Sequence, residues 1–73
     1  MTVGRGHVTS NVRRLREVAG MTQAELGTRV GVTRQTIIAI EAEKYAPSLE
    51  LAFRLARSFG RPFEEVFGFS DPE

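Results

Sequence analysis

The 73-residue chain carries ten lysines and arginines against nine aspartates and glutamates, a net charge of +1, and it has no cysteine. A chain of this length has room for one domain, and without cysteine it can form neither a disulfide nor a thiolate metal site. It contains no apolar run of about 18 residues, the length that crosses a membrane, so we expect a cytoplasmic protein without a membrane partner.

The charge is unevenly distributed along the chain. Residues 1–40 hold six arginines against two glutamates, a net +4, whereas residues 41–73 hold four basic and seven acidic side chains, a net −3. A basic surface on one side suits a polyanionic partner. Most charge clusters are simply solvated, however, so the asymmetry is weak evidence by itself.

The N-terminal part of the chain predicts a flexible segment followed by a helix. We expect residues 1–6 to be flexible, because they contain two glycines and show little periodicity. Ser10 or Asn11 can cap a first helix over about 11–19, and Gly20 ends it. The apolar side chains of this helix recur with the spacing of one helical face. They are Val12, Leu15, Val18 and Ala19.

Two short helices joined by a tight turn are predicted next. The TQAE sequence that starts at Thr22 is a capping box, which predicts a helix over about 23–30. Gly31 stops this helix, and Thr33 caps a third helix over about 33–42. Because the break is so short, the two helices must cross at a steep angle.

The C-terminal half predicts two more helices and a final strand. Ser48 starts a fourth helix that Gly60 ends, and Pro62 fits the first turn of a fifth helix that ends at Phe67. Residues 67–70 can form a single strand. The buried face of the fourth helix is expected to consist of Leu49, Ala52, Phe53, Leu55 and Ala56, with Phe59 near its end.

Three isoleucines stand within four positions of the third helix, and they cannot all face the core. At 100° per residue, Ile37 and Ile40 share one face, while Ile38 lies on another. That second face also carries a guanidinium, an amide and a small side chain, which can bind guanine, adenine and the thymine methyl group in the major groove. These side chains belong to Arg34, Gln35 and Ala39. The alternative is that Ile38 covers a loop or a subunit contact, since single exposed apolar residues are common.

Glu41 falls on the core-facing side of the third helix, beside Ile37 and Ile40. A buried carboxylate is costly unless it is paired. Arg16 on the first helix is the natural partner. The alternative is an exposed glutamate at a frayed helix end.

Several short motifs follow one another in the order LRE, a glycine before MTQAEL, VGVTRQTI, IE, a KY-x-PS loop and PFEEVF. Over about residues 11–68 the sequence resembles the Cro/C1-type, or Xre, helix-turn-helix family, and within it the small stand-alone repressors. The resemblance implies an all-α, five-helix, lambda-repressor-like DNA-binding domain over residues 10–73, preceded by a flexible lead over residues 1–9. Some such proteins add a short strand after the fifth helix, and here residues 7–9 are the candidate to pair with residues 67–70.

The resemblance also implies roles for individual residues. The second and third helices form the helix-turn-helix, and the third enters the major groove. The residues implied to read bases are Thr33, Arg34, Gln35, Ile38 and Ala39. The residues implied to contact phosphates are Thr22, Gln23, Lys44 and Tyr45. Arg16 and Glu41 match the ion pair that joins the first and third helices in this family.

The sequence departs from the family pattern in two places. Many relatives have a polar residue where Ile38 stands, so we expect the base preference to be this chain's own. Where many relatives have ENGK, residues 41–44 read EAEK. Ala42 and Glu43 remove a polar backbone contact and add a negative charge, so we expect this loop to bind phosphate less tightly.

The function that the resemblance implies is sequence-specific transcriptional regulation, with repression as the expected mode. One recognition helix reads too few base pairs for specificity, so a homodimer on palindromic double-stranded DNA is expected. The predicted dimer contacts are Phe63, Val66, Phe67 and Phe69. Phe63 and Phe67 could equally close the core of a single chain.

Two other classes of function are alternatives to regulation. An antitoxin or protein-interaction adaptor could use the same domain, and the sequence does not separate it from a repressor. An enzyme is disfavoured because His7 is the only histidine and no nucleophile–base pair or metal-ligand cluster occurs at a meaningful spacing. We therefore expect no catalytic residue, metal, cofactor or small-molecule ligand.

Overall fold

A computed structural model describes residues 6–71 as five helices and two short strands. In chain order these are β1 His7–Ser10, α1 Val12–Val18, α2 Gln23–Val30, α3 Arg34–Glu41, α4 Leu49–Phe59, α5 Phe63–Val66 and β2 Phe67–Ser70. The five-helix prediction is confirmed. No helix in this part of the chain is long and apolar enough to cross a membrane.

The two strands form an antiparallel sheet that ties the ends of the domain together. His7 pairs with Ser70, and Ser10 pairs with Phe67. The pairing predicted for residues 7–9 is therefore confirmed, and it extends by one residue to Ser10. The expectation of flexibility falls mainly on residues 1–5, which lie outside the described residues.

The core lies between the helices and contains only apolar side chains among the described residues. Four residues predicted to lie on buried faces are instead exposed: Val18 at 74%, Leu49 at 68%, Phe53 at 52%, and Ala19. Leu51, at 7%, takes an inward position that was not predicted. The apolar arc of α4 spans about 200° at 100° per residue. This arc is wider than one small core can cover, so the side chains at one edge of it, Leu49 and Phe53, are exposed to solvent. The core consists of Val12, Leu26, Val30, Ile37, Ile40, Leu51, Ala52, Leu55, Ala56, Val66 and Phe67.

A glycine inside α2 makes the turn between α2 and α3 possible. The carbonyl of Gly27 accepts hydrogen bonds from the backbone N–H groups of Gly31 and Val32, both at 2.8 Å. A Cβ atom on Gly27 would lie 2.7 Å from the Val32 carbonyl oxygen. Gly31 adopts a φ of 83°, in the left-handed region that glycine enters without penalty. The sequence reading identified Gly31 but missed Gly27.

The fifth helix is shorter than predicted, and this changes the assignment of its last residues. It ends at Val66, and Phe67 has the extended conformation that begins β2. Val66 and Phe67 are 0% and 5% exposed within the single chain, so they complete the core and offer no surface to a second subunit. The burial of both side chains in the single chain argues against the predicted dimer contacts at these two positions, and it agrees with the alternative in which Phe67 closes the core.

Candidate nucleic-acid interface

The two faces of α3 separate the isoleucines as the helical periodicity requires. Ile37 and Ile40 are 0% and 1% exposed and lie in the core. Ile38 is half-buried on the outer side. Around it, Thr33, Arg34 and Gln35 are exposed and Ala39 is half-buried. Four of the five residues that were implied to read bases thus lie on the outer side of α3, and Thr33 stands at its N-terminal cap.

Thr33 holds the N-terminus of this helix in place. Its side chain accepts a hydrogen bond from the backbone N–H of Thr36 at 3.3 Å. A threonine in this position satisfies one of the N–H groups that have no partner within the helix. The start of α3, where Arg34 and Gln35 project, is therefore fixed locally.

A groove of about 680 Å³ runs beside α3, between that helix, α1 and the start of α2. Its lining combines the outer side of α3 with basic and amide side chains of the other two helices. The residues that line it are Arg13, Arg16, Gly20, Met21, Thr22, Gln23, Ala24, Arg34, Ile38, Glu41 and Ala42. The charges and hydrogen-bond donors in this groove suit an anionic chain.

At the floor of this groove, Arg16 and Glu41 join α1 to α3. The Arg16 Nε atom donates to Glu41 Oε2 at 2.6 Å, and Nη2 donates to Oε1 at 3.2 Å. Arg16 Nη1 also donates to the Met21 carbonyl at 2.9 Å. The two side chains are only 11% and 5% exposed. The hydrogen bond to Glu41 raises the pKa of Arg16 above its ordinary value.

Gln23 is held by the same carboxylate. Its Nε2 atom donates to Glu41 Oε1 at 3.1 Å, although sequence reasoning gave Gln23 only a phosphate-binding role. A side-chain amide has two hydrogens on its nitrogen. One of them is donated to Glu41, and the other can be donated to a ligand in the groove. Glu41 therefore orients Gln23 as well as Arg16.

The capping box at the start of α2 is present in full. The Glu25 backbone N–H donates to Thr22 Oγ1 at 3.0 Å, and the Thr22 backbone N–H donates to Glu25 Oε1 at 2.8 Å. The hydrogen bond from the Thr22 backbone lowers the pKa of Glu25. This arrangement fixes the helix end that carries Thr22 and Gln23 into the groove.

Lys44 and Tyr45 follow the C-terminal end of α3. Both are exposed in the loop after α3. Tyr45 lines a second, smaller groove of about 300 Å³ together with Thr36. The four residues implied to contact phosphates therefore flank α3 on two sides.

An exposed apolar surface lies away from these grooves: Leu49, Phe63 and Phe69 line one shallow depression, and Phe53 packs beside Phe63. The ring centroids of Phe53 and Phe63 are 5.9 Å apart, and those of Phe63 and Phe67 are 5.7 Å apart. Phe63 is 37% exposed and Phe69 is 62% exposed. Of the four predicted dimer contacts, these two remain on the surface. The exposed positions of Leu49 and Phe53 were missed, because their periodicity also fits a buried face.

The described part of the chain has no group of three or more metal-ligating side chains. In this part of the chain a tight turn joins two short helices, α2 and α3. The solvent-facing side of α3 carries the guanidinium of Arg34 and the amide of Gln35. These features define a helix-turn-helix domain.

Comparisons with known proteins agree with this class. The family model described as Helix-turn-helix matches residues 12–66. An uncharacterized HTH-type transcriptional regulator of Methanothermobacter thermautotrophicus is 56% identical over 57 residues, covering 77% of this chain and 83% of that protein. Another, of Archaeoglobus fulgidus, is 47% identical over 64 residues, covering 88% of this chain and 91% of that protein. The chain belongs to the helix-turn-helix family, of the Cro/C1 or Xre type.

Two further proteins extend the comparison. The cryptic phage CTXphi transcriptional repressor RstR of Vibrio cholerae is 32% identical over 63 residues, covering 86% of this chain and 57% of that protein. The crystal structure of the transcriptional regulator VanUg superposes with a TM-score of 0.78 over 99% of this chain and 96% of that one, at 18% identity. The likeness to VanUg concerns the fold. The chain is a transcriptional regulator by family, and the family is not one of enzymes.

Proposed function

We propose that this protein binds a specific double-stranded DNA sequence as a homodimer and represses transcription from a palindromic operator. The observation that carries the proposal is the outer side of α3, where Arg34 and Gln35 are exposed and Arg34 lines the groove of about 680 Å³. An α-helix of this kind fits the major groove of B-DNA.

Base reading is assigned to the outer side of α3. Arg34 can bond guanine and Gln35 can bond adenine, each with two hydrogen bonds, while Ile38 and Ala39 can pack against thymine methyl groups. Thr33 stands at the N-terminal end of the helix, where hydroxyl and backbone donors meet the DNA. This mixture of chemistries is what sequence discrimination needs.

Phosphate contacts are assigned to the residues that flank α3. Thr22 and Gln23 line the groove on one side, and Lys44 and Tyr45 lie in the loop on the other. Contacts to phosphates fix the register of the protein on the duplex but carry no sequence information directly. Their loss should therefore weaken binding to every DNA sequence by a similar factor.

Homodimer formation is assigned to the apolar surface. A contiguous apolar patch on a small protein marks an interaction site, and Phe53, Phe63 and Phe69 are the aromatic side chains that it exposes. A two-fold dimer would place two recognition helices on half-sites about one helical turn apart. Repression would follow because the bound dimer blocks access of polymerase to the promoter. The similarity to the repressor RstR supports this mode of action.

The test of DNA reading compares two variants on two kinds of DNA. The cognate site is first selected from a random DNA pool by the wild-type protein. Gln35→Ala should weaken binding to that site by about 1–3 kcal/mol and leave binding to scrambled DNA unchanged. Lys44→Ala should weaken binding to both DNAs and flatten the salt dependence. If Gln35→Ala reduces both affinities equally, Gln35 does not read a base.

The test of the dimer uses exposed apolar residues on different surfaces. Phe69→Ser should shift the protein from dimer to monomer in sedimentation velocity and should reduce operator affinity. Val18→Ser is the matched control, because Val18 is 74% exposed and lies on α1, outside the apolar surface. A wild-type protein that stays monomeric at all concentrations and on the operator would contradict the homodimer and favour a different protein partner, as for an antitoxin.

A further inference from the structure

The residue that follows the C-terminal cap of α3 has an unusual backbone conformation. Glu43 has a φ of 60° and is the only non-glycine residue with positive φ among residues 6–71. The Glu43 N–H donates to the Ile40 carbonyl, and the Lys44 N–H donates to the Ala39 carbonyl, both at 3.0 Å. These two bonds form a Schellman motif, in which Glu43 occupies the position that glycine usually takes. A side chain is disfavoured there, because its Cβ crowds the backbone.

The carboxylate of Glu43 has a specific partner in a distant part of the chain. Its Oε2 atom accepts a hydrogen bond from the Ser10 backbone N–H at 2.8 Å. Its Oε1 atom lies 3.7 Å from His7 Nε2. Both residues belong to β1, more than 30 positions earlier in the sequence. The negative charge that was expected to weaken phosphate binding by this loop is thus directed at the first strand.

We propose that Glu43 is a positioning residue that fixes the recognition helix relative to the two-stranded sheet, and thereby sets the spacing between half-sites that the dimer accepts. Glu43 follows α3 directly and holds β1, β1 pairs with β2, and β2 carries Phe69 of the apolar surface. This is a short hydrogen-bonded path from the DNA-reading element to the dimer surface. The proposal rests on the proposed function, since spacing has meaning only for a dimer on a palindrome.

The backbone conformation separates two possible roles for Glu43. If the residue served only to end α3, glycine would do so without strain and no carboxylate would be needed. A glutamate in this conformation gains the bond to Ser10, which glycine cannot make. Replacement by glycine therefore removes the hydrogen bond to β1 and also relieves the backbone strain after α3, so the variant should fold.

The experiment measures affinity for a series of operators whose half-sites are moved by one base pair at a time. Each added base pair turns one half-site about the DNA axis by roughly 34–36°, since 10–10.5 base pairs make one turn. We expect the wild-type protein to lose about tenfold in affinity per base pair from its optimum, and Glu43→Gly to lose about threefold. Glu43→Gln should behave as the wild type, because its amide oxygen can still accept the Ser10 N–H. His7→Ala is a control that leaves this hydrogen bond in place.

Amide hydrogen exchange provides a second readout in the absence of DNA. The Ser10 amide should exchange faster in Glu43→Gly than in the wild type and in Glu43→Gln. Unchanged protection of Ser10 in Glu43→Gly would overturn the link itself. An equal loss of affinity at every spacing, or a fall per base pair in Glu43→Gly that is as steep as in the wild type, would overturn the positioning role alone. A wild-type protein with no preferred spacing would overturn the palindromic dimer together with this role.

Discussion

The buried ion pair between Arg16 and Glu41 offers a direct test of what holds the recognition helix to the domain. In the variant Glu41→Gln, a side chain of the same shape places an NH₂ group where one carboxylate oxygen now accepts a hydrogen bond. One of the two Arg16 donors, at 2.6 Å or 3.2 Å from the carboxylate, then faces another donor. The Arg16 side chain, 11% exposed, keeps its charge and its bond to the Met21 carbonyl but loses its counter-charge.

Two opposing effects set the change in the free energy of unfolding that Glu41→Gln causes. Breaking a buried ion pair by removing one partner costs about 3–5 kcal/mol, because the remaining charge is left without compensation. Glu41 is also the last residue of α3, where the helix dipole disfavours a negative charge, so its neutralisation returns about 0.3–1 kcal/mol. We expect a net loss of about 2–5 kcal/mol in the free energy of unfolding, which is a large share of the stability of a small domain. In a domain of 60–100 residues this lowers Tm by roughly 8–40 °C.

The assay is urea unfolding followed by circular dichroism, with the slope m fitted for each variant. A shift of the unfolding midpoint at constant m shows that stability has changed and that the compactness of the unfolded state has not. Glu65→Gln is the matched control, because its pair with Arg61, at 3.0 Å, is half exposed and should contribute less than about 0.5 kcal/mol. A loss below about 1 kcal/mol for Glu41→Gln would refute the reasoning, since exposed pairs already reach that value.

Three other substitutions test how the helix-turn-helix is built. Thr22→Ala should cost about 1 kcal/mol of stability. Because the cap lowers the pKa of Glu25, the stability that the ionised Glu25 contributes is present above the ordinary carboxyl pKa and is lost as pH falls through the lowered value. The free energy of unfolding of the variant, measured by urea unfolding, should therefore depend less on pH in the acid range. Gly27→Ala should cost about 1–3 kcal/mol, measured by urea unfolding, because the new Cβ would lie 2.7 Å from a backbone carbonyl oxygen. Ile37→Ala should cost about 2–5 kcal/mol, whereas Ile38→Ala should cost much less and should alter the DNA sequence selected from a random pool.

Local signals were sufficient for the elements that the backbone itself specifies. The capping box at Thr22 and the stop at Gly31 depend on residues within one turn of the helix end, so they can be identified without tertiary information. The assignment of Ile37 and Ile40 to the core also needed only helical periodicity. These features are short-range, and the structure contains each of them.

Features that depend on tertiary packing could not be predicted in the same way. Leu49, Phe53 and Leu51 are all apolar positions of α4, and only the shape of the core decides that Leu51 is buried and the other two are exposed. Gly27 shows no signal in a single sequence, because its role depends on the closeness of the Val32 carbonyl. Glu43 was placed near DNA by resemblance, yet its partner lies in β1, which no local pattern connects to α3.

The carboxylate of Glu41 connects the stability of the fold with the geometry of the proposed DNA contact. It accepts hydrogen bonds from Arg16 and from Gln23, which lines the groove. A side chain that is already oriented loses less conformational freedom on binding, a saving of about 0.5–1.5 kcal/mol for each side chain ordered in advance. Since Gln23 is proposed to bind phosphate, we expect Glu41→Gln to weaken binding to specific and non-specific DNA by a similar factor, even where the variant is fully folded. A residue that acted on stability alone would leave the affinity of the folded fraction unchanged.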